Sequence, residues 1–202
     1  MWLWRELPYL ALYLRQLSDN RSGLFVVNIA SDFYEIFSLS LDWDVDTDQL
    51  DARFRKLQQQ FHPDRYASNS EIEKRRAVQI ASLINQAYET LKDPLARAQY
   101  LLQLKGYDST QESHITSDAQ FLMDQMLLRE ALSEIRTAAK PLPALEALAI
   151  DAEQKYLDLQ QQFAQQYNAG NYNEAFESVA KLQFADKFIN EIAELKTQLE
   201  DL

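Results

Sequence analysis

Leu50-Asp51-Ala52-Arg53-Phe54-Arg55-Lys56-Leu57-Gln58-Gln59-Gln60-Phe61-His62-Pro63-Asp64 is the stretch on which the reading of this chain turns. Leu50, Phe54, Leu57 and Phe61 recur at i, i+4, i+7 and i+11, one continuous apolar stripe on a helix. Pro63 stops that helix, because it has no backbone N–H to continue the ladder and it biases His62 away from the α region. His62 and Asp64 are therefore displayed in a loop. The negative end of the preceding helix dipole disfavours a carboxylate at Asp64 by up to ~1 kcal/mol. A local cost of this kind often marks function.

A second helix is expected directly after the loop, since Ser70 and Glu73 form an S-x-x-E capping box. Ile72, Ala77, Ile80, Ala81, Ile84, Ala87, Tyr88 and Leu91 give it a buried face of its own. Two antiparallel helices then present His62-Pro63-Asp64 at their tip.

Composition points to an all-α protein with no sheet. Three glycines and five prolines in 202 residues leave few breakers, and 47% hydrophobic residues suffice for one or two real cores. The absence of cysteine removes disulfides, thiolate catalysis and any cysteine-held cluster, and with only His62 and His114 a zinc site is improbable. No cofactor is expected. The net charge of −11 is concentrated in the second half, and a chain this acidic repels nucleic acid and anionic lipid, so neither is an expected partner. Arg53, Arg55 and Lys56 are a local exception, with no acid between Ala52 and Pro63; together with Arg65 they make a basic strip beside the loop. On charge alone that strip reads as a solvated helix face.

His62 and Asp64 could also be imagined as a catalytic dyad. The chain supplies no cysteine, no nucleophile-elbow serine, almost no glycine for an oxyanion loop and no phosphate-cradling loop, so a non-enzyme that binds no nucleotide is expected. His114, among Gln111, Glu112, Ser113 and Thr116, reads as a surface loop residue.

Beyond the hairpin, Asp93 and Pro94 form an N-cap and N1 pair that opens a short helix closed by Gly106. A polar linker follows to residue 116. Ser117 and Gln120 make a capping box for a helix running to about Ala138, Pro141 and Pro143 interrupt, and a further helix carries Leu145, Leu148, Ala152, Tyr156, Leu159 and Phe163 on one stripe. It ends before Asn168-Ala169-Gly170-Asn171, and a last helix runs from about Tyr172 to the C-terminus. Three such helices with short links form an antiparallel bundle.

The helix from Ser117 has two apolar sides. Phe121, Leu128, Ala131, Leu132 and Ile135 share one, while Leu122, Met123, Met126 and Leu127 share the other with Glu130 and Glu134. A bundle helix needs only one face buried, so the second requires a partner: either another part of this fold, the commoner fate of a methionine stripe, or another protein.

The hairpin with His62-Pro63-Asp64, together with Ile84-Asn85-Gln86-Ala87-Tyr88 and Leu91, resembles a J domain, the part of DnaJ-type proteins that engages heat-shock ATPases. Asp93 through Leu102 ending at Gly106, Phe121-Leu122-Met123 and Arg129-Glu130-Ala131-Leu132 are similar to HscB, the J-type co-chaperone of iron–sulfur cluster assembly. The resemblance covers roughly residues 32 to 202. It implies an N-terminal J-domain hairpin followed by a C-terminal three-helix bundle, divided as a J domain over 32–105, a linker over 106–116 and a scaffold-binding bundle over 117–202. It further implies that His62, Pro63, Asp64, Arg53, Arg55, Lys56 and Arg65 meet an HscA-type ATPase chaperone, while Leu122, Met123, Met126, Leu127, Glu130, Glu134 and Phe184 bind the IscU-type scaffold. Leu127 stands where relatives carry an acid. A general J-domain co-chaperone of DnaK-type partners, and a helical adaptor without an ATPase partner, are the alternatives.

Residues 1–31 have no counterpart in that pattern. Trp2, Leu3, Trp4 and Leu7 are apolar, but Glu6 and Pro8 interrupt, and no run is long enough to span a bilayer or shaped like a secretory signal. An accessory extension, or a translation start near Val26 or Val27, is expected, in a bacterial cytoplasm with the mitochondrial matrix as the alternative.

Overall fold

The computed structural model describes residues 32–107, 116 and 118–201. The expectations for residues 1–31, for His114 and for Ser117 lie outside the described residues, as does most of the linker. Among the described residues seven α-helices form and no strand does, in agreement with the all-α reading. The chain falls into two compact units, divided between Asp93 and Pro94.

In the first unit α1 (Phe33–Ile36) is capped by Asp32, whose side chain accepts the Glu35 N–H at 2.8 Å. Asp46 likewise caps α2 (Thr47–Gln60), accepting from Gln49 at 2.9 Å. The Ser70 box opens α3 (Glu71–Lys92) as expected: Ser70 donates its N–H to Glu73 at 3.0 Å and its Oγ accepts the Glu73 N–H at 3.4 Å. Each cap satisfies donors that a helix start leaves orphaned. The helices α2 and α3 run antiparallel, because Asp51 meets Lys92, Phe54 meets Tyr88 and Gln58 meets Asn85. Between them Leu50, Leu57, Ile84, Ala87 and Leu91 are buried, with Tyr34 and Phe37 of the first segment. Side chains of this size contribute about 1.5–3 kcal/mol each when fully buried.

Ile72 does not belong to that face and is 65% exposed. The reason is helix length: α2 ends at Gln60, barely past the Gln58–Asn85 pairing, so the first turns of α3 run on beyond it. The short turn at residues 63–66 also contacts α3, and Ile72 lies ahead of Ala77, the first buried residue of the helix.

Asp93, the last residue of the first unit, is extended (φ −80°, ψ 124°), and Pro94 opens the second unit with α4 (Pro94–Leu104), which buries Ala98, Leu101 and Leu102. Gly106, at φ +88°, ends it; the Tyr107 N–H returns to the Leu102 carbonyl at 3.0 Å, a closure that needs a left-handed residue. Helices α5 (Ala119–Arg136), α6 (Pro141–Asn168) and α7 (Tyr172–Glu200) follow. The cap of α5 is Asp118 rather than Ser117: the Asp118 carboxylate accepts the Phe121 N–H at 3.0 Å and pairs with Lys181 at 2.6 Å. An aspartate one residue later does the same capping work and gains a cation from α7.

Helices α5 and α7 are parallel, as Asp118–Lys181, Phe121–Phe184 and Arg129–Glu191 advance together, while α6 runs against α7, with Gln166 bonded to Ser178 and Leu145 packed near Phe188 and Leu195. The result is an up-down-up bundle whose core holds Leu132, Leu145, Ala152, Phe188, Ile192 and Leu195. α4 packs on α7 as a fourth helix of this unit.

Candidate functional site

Phe61 closes α2, and His62 leaves it in an extended conformation (φ −60°, ψ 129°), as a residue before proline should. The chain then makes a single 3-10 turn, Pro63–Tyr66, rather than an open loop. The Arg65 N–H donates to the His62 carbonyl at 3.0 Å and the Ala67 N–H to the Asp64 carbonyl at 3.3 Å. Asp64 thus occupies the first turn of a helical segment, where free backbone N–H groups favour a negative charge. The dipole penalty expected from α2 alone is lessened accordingly.

The His62 ring reinforces this turn. Its Nδ1 accepts the Asp64 N–H at 3.3 Å, which leaves Nε2 to carry the proton of the neutral ring and to point a donor outward. The Asp64 carboxylate lies 3.6 Å from the same Nδ1, yet its side chain is 90% exposed, so most of its acceptor capacity faces solvent. Arg65 reaches back and donates to the Gln59 carbonyl at 3.1 Å, tying the turn to the last carbonyls of α2.

The basic strip separates into two kinds of residue. Arg55, Lys56 and Arg65 are exposed. Arg53 is half-buried, and its guanidinium donates to the carbonyls of Phe37 and Ser38, bracing a turn in which Ser38 is left-handed at φ +51°. Arg55, Phe61, His62, Arg65 and Asn85 line an open groove between α2 and α3.

Behind the turn, a polar network locks the hairpin. The Tyr88 hydroxyl donates to Asp51 Oδ1 at 2.9 Å, Lys92 Nζ donates to both Asp51 oxygens at 3.1 and 3.3 Å, and the Tyr88 ring stacks on Phe54 with centroids 3.8 Å apart. The Tyr88 and Lys92 hydrogen bonds hold the Asp51 carboxyl below its ordinary range, and those from Tyr88 and Asp51 hold the Lys92 ammonium above its own. Sequence periodicity placed Tyr88 on the buried face but gave no sign of Asp51, because a partner 37 positions away leaves no local pattern.

The second candidate surface is on α5. Met123, Met126 and Leu127 are 55%, 69% and 56% exposed, and Glu130 and Glu134 are exposed beside them. Leu122 is half-buried at the edge of the patch. The opposite side, with Gln125 and Leu132 buried and Leu128 and Ile135 partly so, faces the bundle. Phe184 of α7 is half-buried and packs edge-to-face on Phe121, centroids 6.0 Å apart, so it meets α5 on the bundle side rather than among the methionines. Among the described residues no group of three or more His, Asp or Glu side chains could hold a metal ion, and no helix is long and apolar enough to cross a membrane.

Comparison with known proteins covers both units. The DnaJ domain family model matches residues 32–100, and the model described as the HSCB C-terminal oligomerisation domain matches residues 117–193. The fold is similar to the chaperone HscB from Vibrio cholerae (37% identity, 84% of this chain and 99% of that one, TM-score 0.77). It is also similar to the human co-chaperone protein HscB (27% identity, 87% and 86%, TM-score 0.77) and to the Jac1 co-chaperone from Saccharomyces cerevisiae (28% identity, 81% and 97%, TM-score 0.62). Helix α4 lies within the stretch matched by the DnaJ model up to residue 100, while by packing it belongs with the second unit.

Proposed function

The chain belongs to the HscB family of J-domain co-chaperones, which stimulate ATP hydrolysis by a heat-shock chaperone and deliver the scaffold for iron–sulfur cluster transfer, and we propose that its two units divide these tasks. The first unit docks an HscA-type ATPase through His62-Pro63-Asp64 and the cations Arg55, Lys56 and Arg65. The second carries an IscU-type scaffold on Leu122, Met123, Met126, Leu127, Glu130 and Glu134, with Phe184 at its margin. The observation that carries this reading is the Asp64 carboxylate, fixed by a hydrogen-bonded turn yet 90% exposed.

A carboxylate in that state suits an encounter with a cation on a partner. The turn is already ordered by His62 and Arg65, so binding costs little further conformational entropy. Arg55 and Lys56 attract an acidic surface, which raises the association rate and sets orientation more than final affinity. Stimulation then requires that the docked hairpin favour the hydrolysis-competent state of the ATPase, since equal affinity for both states shifts nothing. Arg53 enters this scheme as a brace for the Phe37–Ser38 turn, supporting α2 from behind.

On the scaffold side, two methionines and a leucine form an adaptable apolar centre, and Glu130 and Glu134 give it a polar rim. The chain has no cysteine, so its role is to manage the cluster carrier while the cluster stays on the scaffold. The 37% identity to a Vibrio cholerae protein favours a bacterial cytoplasm as the setting.

Single-turnover ATP hydrolysis by HscA-type and DnaK-type chaperones, with and without the scaffold, tests the reading. Stimulation of the HscA-type partner that rises with scaffold and disappears in His62→Gln or Asp64→Asn is the expected result. Stimulation of the DnaK-type partner alone, or undiminished activity in both variants, would sink it.

A further inference from the structure

A cleft of about 290 Å³ opens inside the C-terminal bundle, between α5, α6 and α7, on the side of α5 opposite Met123 and Met126. Its walls include Leu128, Ala152, Leu159, Ala185 and Phe188. Among them stands Gln125, only 6% exposed, whose Oε1 has no hydrogen-bond partner among the described residues. Leaving a buried amide oxygen unmatched is costly, so a side chain retained in this state beside Leu128, Ala152 and Phe188 points to something that meets it.

The charges around the cleft are matched on their own helices. Asp124 accepts from Gln120 at 2.9 Å, Asp158 from Gln154 at 3.0 Å, and Lys155 pairs with Asp151 at 2.8 Å. Gln162 is exposed, so among the described lining residues Gln125 is the buried one whose acceptor is unmet. We infer that this cleft is a small-molecule site, taking a flat one- or two-ring aromatic that presents a single N–H donor to Gln125 Oε1. The volume sits at the lower end of the range for ligand pockets, which suits a fragment rather than a nucleotide or cofactor. Phe121 and Phe188 offer aromatic surface to a ring, and a neutral donor is the complement of an amide oxygen.

Indole and benzofuran provide the test, because they match in shape and differ in carrying N–H or oxygen at one ring position. Titrated into the full-length ¹⁵N-labelled chain and followed by amide correlation spectra, indole should shift the Gln125 side-chain amide and the backbone of Leu128, Ala152 and Ala185. Benzofuran should bind about tenfold more weakly, the cost of facing an acceptor without a donor. In Gln125→Leu that preference should vanish, and in Ala152→Leu, which fills the cleft from α6 and leaves the Gln125 amide in the chain, both probes should be lost. Equal affinity of the two probes for the unmodified chain would overturn the proposal, and so would shifts gathered on Met123 and Met126, or no shift up to the solubility limit of indole. The wild-type comparison stands even if either variant fails to fold.

Discussion

Replacing Met126 by Ala separates binding from folding on the α5 surface. The side chain is 69% exposed, so it contributes little to the bundle, and substitution should change stability by no more than ~0.5 kcal/mol. Docking a scaffold over it would bury the exposed part. Met→Ala removes three side-chain heavy atoms, worth ~0.8 kcal/mol each when fully taken from water, or ~2.4 kcal/mol in all. Scaled by the 69% still to be buried, the loss is ~1.6 kcal/mol, a weakening of about 15-fold in Kd. Met123 and Leu127, 55% and 56% exposed, give ~1.3 kcal/mol each by the same reasoning. The triple alanine variant should therefore lose about 10²- to 10³-fold, allowing for coupling between neighbours. Isothermal titration of the scaffold into each variant measures this, with thermal unfolding and scaffold-free ATPase stimulation as controls. Unchanged scaffold affinity in the triple variant, with its fold intact, would refute the assignment of this face.

Arg53→Met should lower thermal stability, since hydrogen bonds from a charged donor contribute about 1.5–3 kcal/mol, whereas Arg55→Met should leave the melting temperature in place and slow association with the ATPase partner. The Arg55 effect should shrink as salt rises from low to physiological strength, measured as association rate by stopped flow. For Asp51, whose folded pKa is depressed, the stability it contributes is present above its unfolded pKa and lost as pH falls through the folded value; Asp51→Asn should therefore flatten the acid limb of a urea-midpoint profile below about pH 4. Lys92, with a raised folded pKa, works in the opposite sense: its contribution is complete below its unfolded pKa and is lost as pH climbs through the folded one, so Lys92→Met should blunt the loss of stability above about pH 10. Ser70→Ala removes one half of the capping box and should cost about 1 kcal/mol, read as a shift in urea midpoint.

The helices were legible in the sequence because their determinants are local. The Leu50, Phe54, Leu57, Phe61 spacing, Pro63 after His62, the Ser70–Glu73 pair, Pro94, Gly106 and the two-sided pattern of residues 121–135 each act within a few positions, and each appears in the structure as the stripe, stop or cap it implied. Where two local signals compete at one place the register slips by a residue, as with Asp118 taking the cap of α5 from Ser117; where a helix outruns its partner, a residue such as Ile72 keeps its periodicity and loses its burial.

What only the tertiary structure decided depends on neighbours far along the chain. Periodicity could not say whether the methionine face of α5 is buried or open, because exposure depends on which helices pack against it; α6 and α7 take the other side. Nor could it tell Arg53 from Arg55, since only the fold brings the Phe37 and Ser38 carbonyls to Arg53. The Asp51–Tyr88–Lys92 network and the unmatched Gln125 oxygen arise in the same way, from hydrogen bonds made, or left unmade, across elements that the sequence keeps dozens of residues apart. Local dihedral and capping preferences are written position by position, while burial and polar pairing belong to the packed chain.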